Sequence, residues 1–478
     1  MFLTKLEHWA QQYPDQPALH SETGSWSWRE YHAAVCDAAA QLSAMKINRL
    51  ALALDNSPEW AIIDLACLCS GIVCIPLPAF FSDRQQRWLL DSSGADAIVG
   101  GALRTGWTPA DFTFGQLQRC PRGNLPVLPA GTAKVTYTSG TTGEPRGVCL
   151  SRKNLAWSTE TLGTLMLPLA LQRHLVTLPL CTLLENLCGI YVPLSLGAAT
   201  VILSAAGTGF EGSSKFSPAI YAQVLAKWQP QSLVLVPELL RLLLHIHSAY
   251  PTSTASLRLV AAGGGKISPA LLSHATAKGL PVYEGYGLSE CGSVVTLNLP
   301  GNSRTGSAGK PLPGISVTID GDGELWVESP GNAAGYLNAP AATGPVKTGD
   351  IAHMDDEGFV YITGRRSNVQ INAFGRNFSP EWIEAEAITC PAVRRVVIFG
   401  EGMTKNVALV DALPGMEPAA REQLNALSAT LPDYARLHHL IFTPAISSPA
   451  ALTANGRARR GVIWQMMREQ ILSQSEEA

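Results

Sequence analysis

Charge is scarce in this chain. Asp, Glu, Lys and Arg make up 15% of its 478 residues, against about a quarter in an ordinary soluble domain. That poverty excludes a disordered or strongly solvated protein. Lys plus Arg number 35 and Asp plus Glu 38, a formal net charge of −3, so nothing draws the chain toward nucleic-acid phosphate. Runs of like charge are missing as well. The nearest, Arg457 to Arg460, reads as a solvated helix start. The ten cysteines contain no C-x-x-C pair, which argues against a zinc or disulfide framework and for buried, reduced thiols in the cytoplasm. The opening MFLTKLEHWAQQYPDQ has none of the regions of a secretory signal. The longest apolar window, Ala61 to Phe80, carries Asp64, Ser70, Pro76 and Pro78, and reads as a buried helix running into a buried strand rather than a transmembrane segment.

What is present is an alternation. From residue 48 onward, short β-rich runs (LALALD, GIVCIPLP, KVTYT, HLVTLPL, ATVILSA, SLVLVP, LRLVAA, LPVYE) alternate with helical stretches such as WAIIDLACLCS, SPAIYAQVLAKW and PELLRLLLHIHSAY. This pattern predicts a wound α/β fold with largely parallel sheets. HLVTLPL is expected to lead into one helix ending at Gly189. After Pro300, SVTID-GDG-ELWVES and GFVYITG predict hairpin strands of a β-rich subdomain. The polar stretch 365–377 reads as a boundary. Beyond it, SPEWIEAEAI predicts a helix capped by Ser379, opening a compact α+β domain over 378–478. Length alone gives two or three domains and a large core.

Ligands of open α/β sheets bind beyond the carboxyl ends of strands, and four such ends carry suggestive loops. In Tyr137-Thr-Ser-Gly-Thr-Thr-Gly-Glu-Pro-Arg-Gly147, glycines let backbone N–H groups face an anion, while hydroxyls and Arg146 add donors and charge. Glu284-Gly-Tyr-Gly-Leu-Ser-Glu290 offers an aromatic face for a base and a carboxylate for a hard cation. Ala261-Ala-Gly-Gly-Gly-Lys266 is a glycine-rich strand exit, and Leu178-Pro-Leu-Cys-Thr-Leu-Leu-Glu-Asn186 a strand-to-helix turn. Taken singly, the last three are also what ordinary turns look like.

The first loop resembles the phosphate loop of the adenylate-forming superfamily: acyl-CoA synthetases, luciferases and the adenylation domains of peptide synthetases. Other family motifs follow in order over nearly the whole chain, in a pattern nearest to long-chain-type acyl-CoA synthetases. The resemblance implies a nucleotide site formed by Thr138, Ser139, Gly140, Thr141, Thr142, Gly143, Gly264, Gly265, Glu284, Gly285, Tyr286, Gly287, Asp350 and Arg365. Within it, Tyr286 lies against adenine, Ser289 near the α-phosphate and Glu290 on magnesium, while Asp350 of T-G-D and Arg365 of G-R hold the ribose. Arg146 stands where the family usually has Lys. An acyl pocket is implied at Thr182, Gly263, Gly264 and Gly285; Thr182 replaces the family's usual His, and Asn186 its Arg. The hinge residue is Asn368. Arg457, in LTANGRARR, occupies the position of the lysine that bridges carboxylate and phosphate, and it keeps the charge on a larger, planar head.

The implied molecule has an AMP-binding domain over 1–364, a hinge over 365–377 and a mobile lid over 378–478. With ATP and Mg2+, its implied activity is conversion of a fatty or other organic acid to an acyl-adenylate with release of pyrophosphate. Transfer to a thiol of CoA or of a carrier-protein phosphopantetheine follows, with Arg457, Glu290, Ser289 and Arg146 as the catalytic set. Rival readings are a catalytically weak adenylate-binding protein and an amide-forming or amino-acid-activating member of the superfamily. A remote rival is an NAD-dependent oxidoreductase, because Gly207-Thr-Gly-Phe-Glu-Gly212 fits G-x-G-x-x-G and Glu238 follows a later strand. Its glycines do not open the helix that begins near Ser217. His245 and His247 lie on the expected helix PELLRLLLHIHSAY and read as packing or surface residues.

Overall fold

The computed structural model describes residues 1–120, 125–138, 145–211, 215–453 and 456–476. The expected alternation becomes two large mixed sheets. One places Val73–Pro76 between the parallel strands Arg49–Ala53 and Thr132–Thr138, then turns antiparallel through Arg146–Ser151 to the short edge strand Gly335–Tyr336. The other runs parallel through Arg173–Leu175, Ser232–Leu235, Leu259–Ala262 and Val282–Tyr286 before its own antiparallel edge. Pro58–Ser70 is apolar all round, and Trp60, Ile62, Ile63 and Leu65 are buried, as expected of a helix enclosed on every side. Ser57 starts it by accepting from the Trp60 N–H at 3.2 Å, with Pro58 in the first turn.

The hairpin of Ser316–Ile319 with Glu324–Glu328 forms as expected and joins Val346–Met354 and Val360–Arg365 in a four-stranded sheet. The C-terminal part has its own core around the sheet Val393–Phe399, Asn406–Ala412 and Leu437–Phe442. All ten cysteines are free, and Cys36 is the one exposed thiol. No helix among the described residues is long and apolar enough to cross a membrane.

Two local expectations fail for physical reasons. The helix after Leu180 is not continuous: Leu183–Glu185 gives way to a π-helix, Asn186–Tyr191, and then to Val192–Leu196. The wider π turn brings both Asn186 and Tyr191 onto a buried ion pair. There Lys134 Nζ meets Asp64 at 2.6 Å and the Tyr191 hydroxyl at 2.9 Å, and also donates to Asn186. Tyr191 and Asn186 donate in turn to the second Asp64 oxygen, at 2.6 and 3.0 Å. Ser379 does precede the helix Pro380–Ala387, but its hydroxyl donates to the Glu381 carboxylate at 3.0 Å instead of capping a backbone N–H.

Candidate active site

Residues from the four-stranded sheet and from the strand Val282–Tyr286 meet around Asp350. Asp350 and Arg365 lie directly opposite each other in antiparallel register, so their ion pair is built into the sheet. Arg365 Nε donates to Asp350 Oδ1 at 2.9 Å and the Tyr286 hydroxyl to Oδ2 at 2.6 Å. Burial raises the Asp350 carboxyl above its usual range, with Arg365 and the Tyr286 hydrogen bond pulling the other way. Burial and the Asp350 charge push the Tyr286 phenol far up, so it stays a donor. An ionised carboxylate has about four acceptor positions, so two remain for hydroxyls of a ligand. The residues inferred for base and ribose therefore stand in one hydrogen-bonded line.

Glu284, two residues before Tyr286 on the same strand, points to the same side. It is buried, its Oε2 has no hydrogen-bond partner, and burial pushes its carboxyl up to about 7 despite the Lys266 ammonium. Lys266 itself donates to the Ile362 carbonyl at 2.7 Å, tying the strand exit at 261–266 to the four-stranded sheet. The glycines of that exit do a structural job first. A Cβ on Gly263 would lie 2.9 Å from the Gly285 carbonyl oxygen, so the close approach of the two strands requires glycine there. Gly264 and Gly265 follow in the loop, and Gly287 closes the turn after Tyr286.

Ser289 and Glu290 form a 3-10 turn, Ser289–Cys291. Glu290 Oε1 accepts from the Tyr336 hydroxyl at 2.9 Å, and the Arg146 guanidinium lies 4.6 Å from the centre of the Tyr336 ring. Thr138 ends its strand opposite Arg146; Ser139, Gly140, Thr141, Thr142 and Gly143 lie outside the described residues. Among the described residues no cluster of three or more His, Cys, Asp or Glu could hold a metal ion. The Glu290 carboxylate alone nevertheless fits magnesium, which binds through one or two carboxylates plus substrate phosphates.

Arg457 arrives from the C-terminal part. It immediately precedes Ala458, which bridges Leu452, and donates to the Gly264 carbonyl. Although Arg457 as a whole is exposed, desolvation where its head meets Gly264 and the nearby Arg365 lower the guanidinium below its usual range, while Asp350 and Glu238 act oppositely. Glu238, weighed above as a dinucleotide acid, thus serves the charge balance of this crevice. Ser268 donates to Glu386 at 2.9 Å across the same junction. Arg460 is not a solvated helix start: it grips Glu384 at 2.8 and 3.0 Å and the Ile398 carbonyl at 2.6 Å.

Thr182 donates to the Pro179 carbonyl at 2.7 Å, shaping its own turn. Glu185 lies inside the protein. Fully buried, it faces His174 at 3.3 Å and accepts from the Leu178 N–H at 3.2 Å. Asn368 donates to Glu381 in the segment following Arg365. Gly207 and Gly209 open the short strand Phe210–Glu211 and not a helix, which begins only at Pro218, so the dinucleotide fingerprint lacks its anion-binding helix. His245 is exposed, and His247 bridges Thr254 and the Lys278 carbonyl. Sequence reasoning missed Tyr336 and gave no role to Lys266.

Known proteins show the same organisation. A model of the AMP-binding enzyme family matches residues 6–337. The 2-succinylbenzoate–CoA ligase of Bacillus velezensis is 30% identical over 432 residues, 83% of this chain and 85% of that protein. A long-chain-fatty-acid–CoA ligase of Mycobacterium bovis is 28% identical over 436 residues, 76% and 72% of the two chains. The structure of o-succinylbenzoate CoA synthetase from Bacillus subtilis with its acyl-adenylate intermediate superposes with a TM-score of 0.78 at 24% identity, covering 96% of this chain and 97% of that one. This chain belongs to the AMP-binding enzyme family.

Proposed function

We propose that this protein is an AMP-forming acid–thiol ligase. In the first half-reaction a carboxylate oxygen attacks the α-phosphorus of ATP, the bond to pyrophosphate breaks, and an acyl-adenylate forms. In the second, a thiolate attacks the acyl carbonyl and AMP leaves. The observation that carries this reading is Arg457, delivered by the C-terminal part to the Gly264 carbonyl, within the electrostatic reach of the Asp350–Arg365 pair. A cation held there can neutralise charge where carboxylate and phosphate meet. It also argues against a protein that only binds adenylate.

Roles follow from chemistry. Tyr286 offers its ring to adenine, and the unpartnered Glu284 oxygen accepts from an amino group of the base. Asp350 and Arg365 hold the ribose hydroxyls. Residues 139–143, Ser289 and Arg146 surround the phosphates, and Glu290 supplies the carboxylate for magnesium. The metal, when bound, screens phosphate charge and orients the leaving pyrophosphate. Catalysis here is positioning and charge neutralisation.

The matched relatives are ligases of CoA, one acting on an aryl and one on a long-chain acid by their names. They favour CoA over a carrier-protein phosphopantetheine as acceptor, and an organic carboxylate without an amino group over an amino acid. Thr182, Gly263, Gly264 and Gly285 are the proposed pocket wall. Residues 365–377, with Asn368, act as the hinge on which a lid of 378–478 turns between half-reactions. Ten free thiols suit a cytoplasmic enzyme. ATP–pyrophosphate exchange across a panel of carboxylic acids tests the proposal: an aryl or fatty acid drives exchange. Clear ATP binding with no exchange for any acid leaves an adenylate-binding protein; exchange with amino acids alone overturns the substrate class.

A further inference from the structure

Tyr336 belongs to none of the motifs that frame the site, yet it touches two of the residues they single out. Its strand, Gly335–Tyr336, has two residues and is anchored on both sides. Gly335 pairs with Cys149 and Tyr336 with Val148 on the strand that leaves the phosphate loop, and the Leu337 N–H donates to the Gly147 carbonyl at 2.9 Å. Just upstream, the Ala333 N–H donates to the backbone carbonyl of Glu290 at 2.7 Å. Gly335, at φ +139°, lets the chain fold back: a Cβ there would lie 3.0 Å from the Ala342 nitrogen.

Antiparallel register places residues two positions apart on neighbouring strands diagonally side by side. Tyr336 opposite Val148 therefore lies diagonal to Arg146, whose guanidinium rests on the ring at 4.6 Å. A guanidinium over a phenol face at this distance is a cation–π contact. The other end of the same side chain donates to Glu290 Oε1 at 2.9 Å. The hydroxyl is the donor of this bond, since an ionised carboxylate only accepts. One side chain thus fixes the cation inferred to meet the phosphates and the carboxylate inferred to meet the metal.

Resting on the nucleotide-site reading above, we propose that Tyr336 is a positioning residue for MgATP: its hydroxyl sets the Glu290 carboxylate for the magnesium ion, and its ring seats Arg146 against the phosphates. The two contacts are separable. Tyr336→Phe removes the hydroxyl and keeps the ring; Tyr336→Leu removes both.

Nucleotide binding measured by calorimetry with the full chain, with EDTA and across a magnesium titration, tests this without any acid substrate. A typical intramolecular hydrogen bond is worth about two- to tenfold in an equilibrium constant, and one to a charged group tenfold or more. Tyr336→Phe is expected to bind ATP in EDTA as the wild type does, and to need about three- to tenfold more magnesium for half-maximal enhancement. Tyr336→Leu is expected to weaken binding in EDTA as well. An unchanged magnesium requirement in Tyr336→Phe overturns the proposal, as does an equal loss with and without magnesium, the mark of a merely structural tyrosine. A wild type whose ATP binding ignores magnesium fails the nucleotide-site reading itself, and the proposal with it.

Discussion

At the scale of the residue, the crevice is defined by how each polar group is compensated. Asp350 is buried but has Arg365 and Tyr286 on its two oxygens; Glu284 is buried with one oxygen unpaired. The difference makes Glu284 a liability in the empty protein. Its folded carboxyl is pushed up to about 7 from an ordinary 4.5. A raised carboxyl pKa means the folded state holds its proton longer, so stability falls as pH rises from about 4.5 toward 7 and levels off above. The total is roughly 3 kcal/mol. Glu284→Gln removes that dependence. Thermal melting without nucleotide is expected to show the variant gaining on the wild type between pH 5 and pH 8; parallel profiles would refute the assignment. Most of this crevice was legible in the sequence, because Glu284 to Glu290 and the Asp350 and Arg365 motifs are short, local and at strand ends. Tyr336 was not, since its meaning depends on Tyr336 pairing with Val148 and reaching Glu290. Nothing near Tyr336 in the chain announces those partners.

At the scale of the element, the buried Lys134–Asp64 pair joins three pieces. Lys134 is on the strand that runs into the phosphate loop, Asp64 on the enclosed helix Pro58–Ser70, and Asn186 and Tyr191 on the π-helix below the turn carrying Thr182. Each buried polar atom has a partner, which is the condition for such a network to be tolerated. Asp64→Ala strands the ammonium of Lys134 in an apolar enclosure. The expected cost is about 3–5 kcal/mol, read as a large drop in melting temperature; a change within 1 °C would show that water reaches the site. The apolar window that holds Asp64 was correctly legible as helix followed by strand. The π-helix was not, for the apolar spacing of Leu183 to Leu196 suits an unbroken helix equally well. Only the side-chain partners of Asn186 and Tyr191 select the wider turn.

At the scale of the whole molecule, the polar contacts that join the C-terminal part to the crevice include, among the described residues, Arg457 on Gly264, Ser268 on Glu386, and Glu238 within reach of Arg395 and Arg457. The internal cohesion of that part is separate, with Arg460 locked to Glu384 and its own apolar cores. A unit with its own cores suits the rotating lid proposed above. The alternation of strands and helices made the fold class readable; the meeting of Arg457 with Gly264 was not, because it joins residues about 190 positions apart. The central claim is that this closed arrangement delivers Arg457 for adenylation. Single-turnover kinetics of Arg457→Ala tests it most directly, following pyrophosphate release and, separately, thioester formation from supplied acyl-adenylate. Loss of a charge-assisted contact to a developing anion predicts adenylation slowed by about 10²-fold or more, with the thioester step little changed. Pyrophosphate release at the wild-type rate would contradict the account.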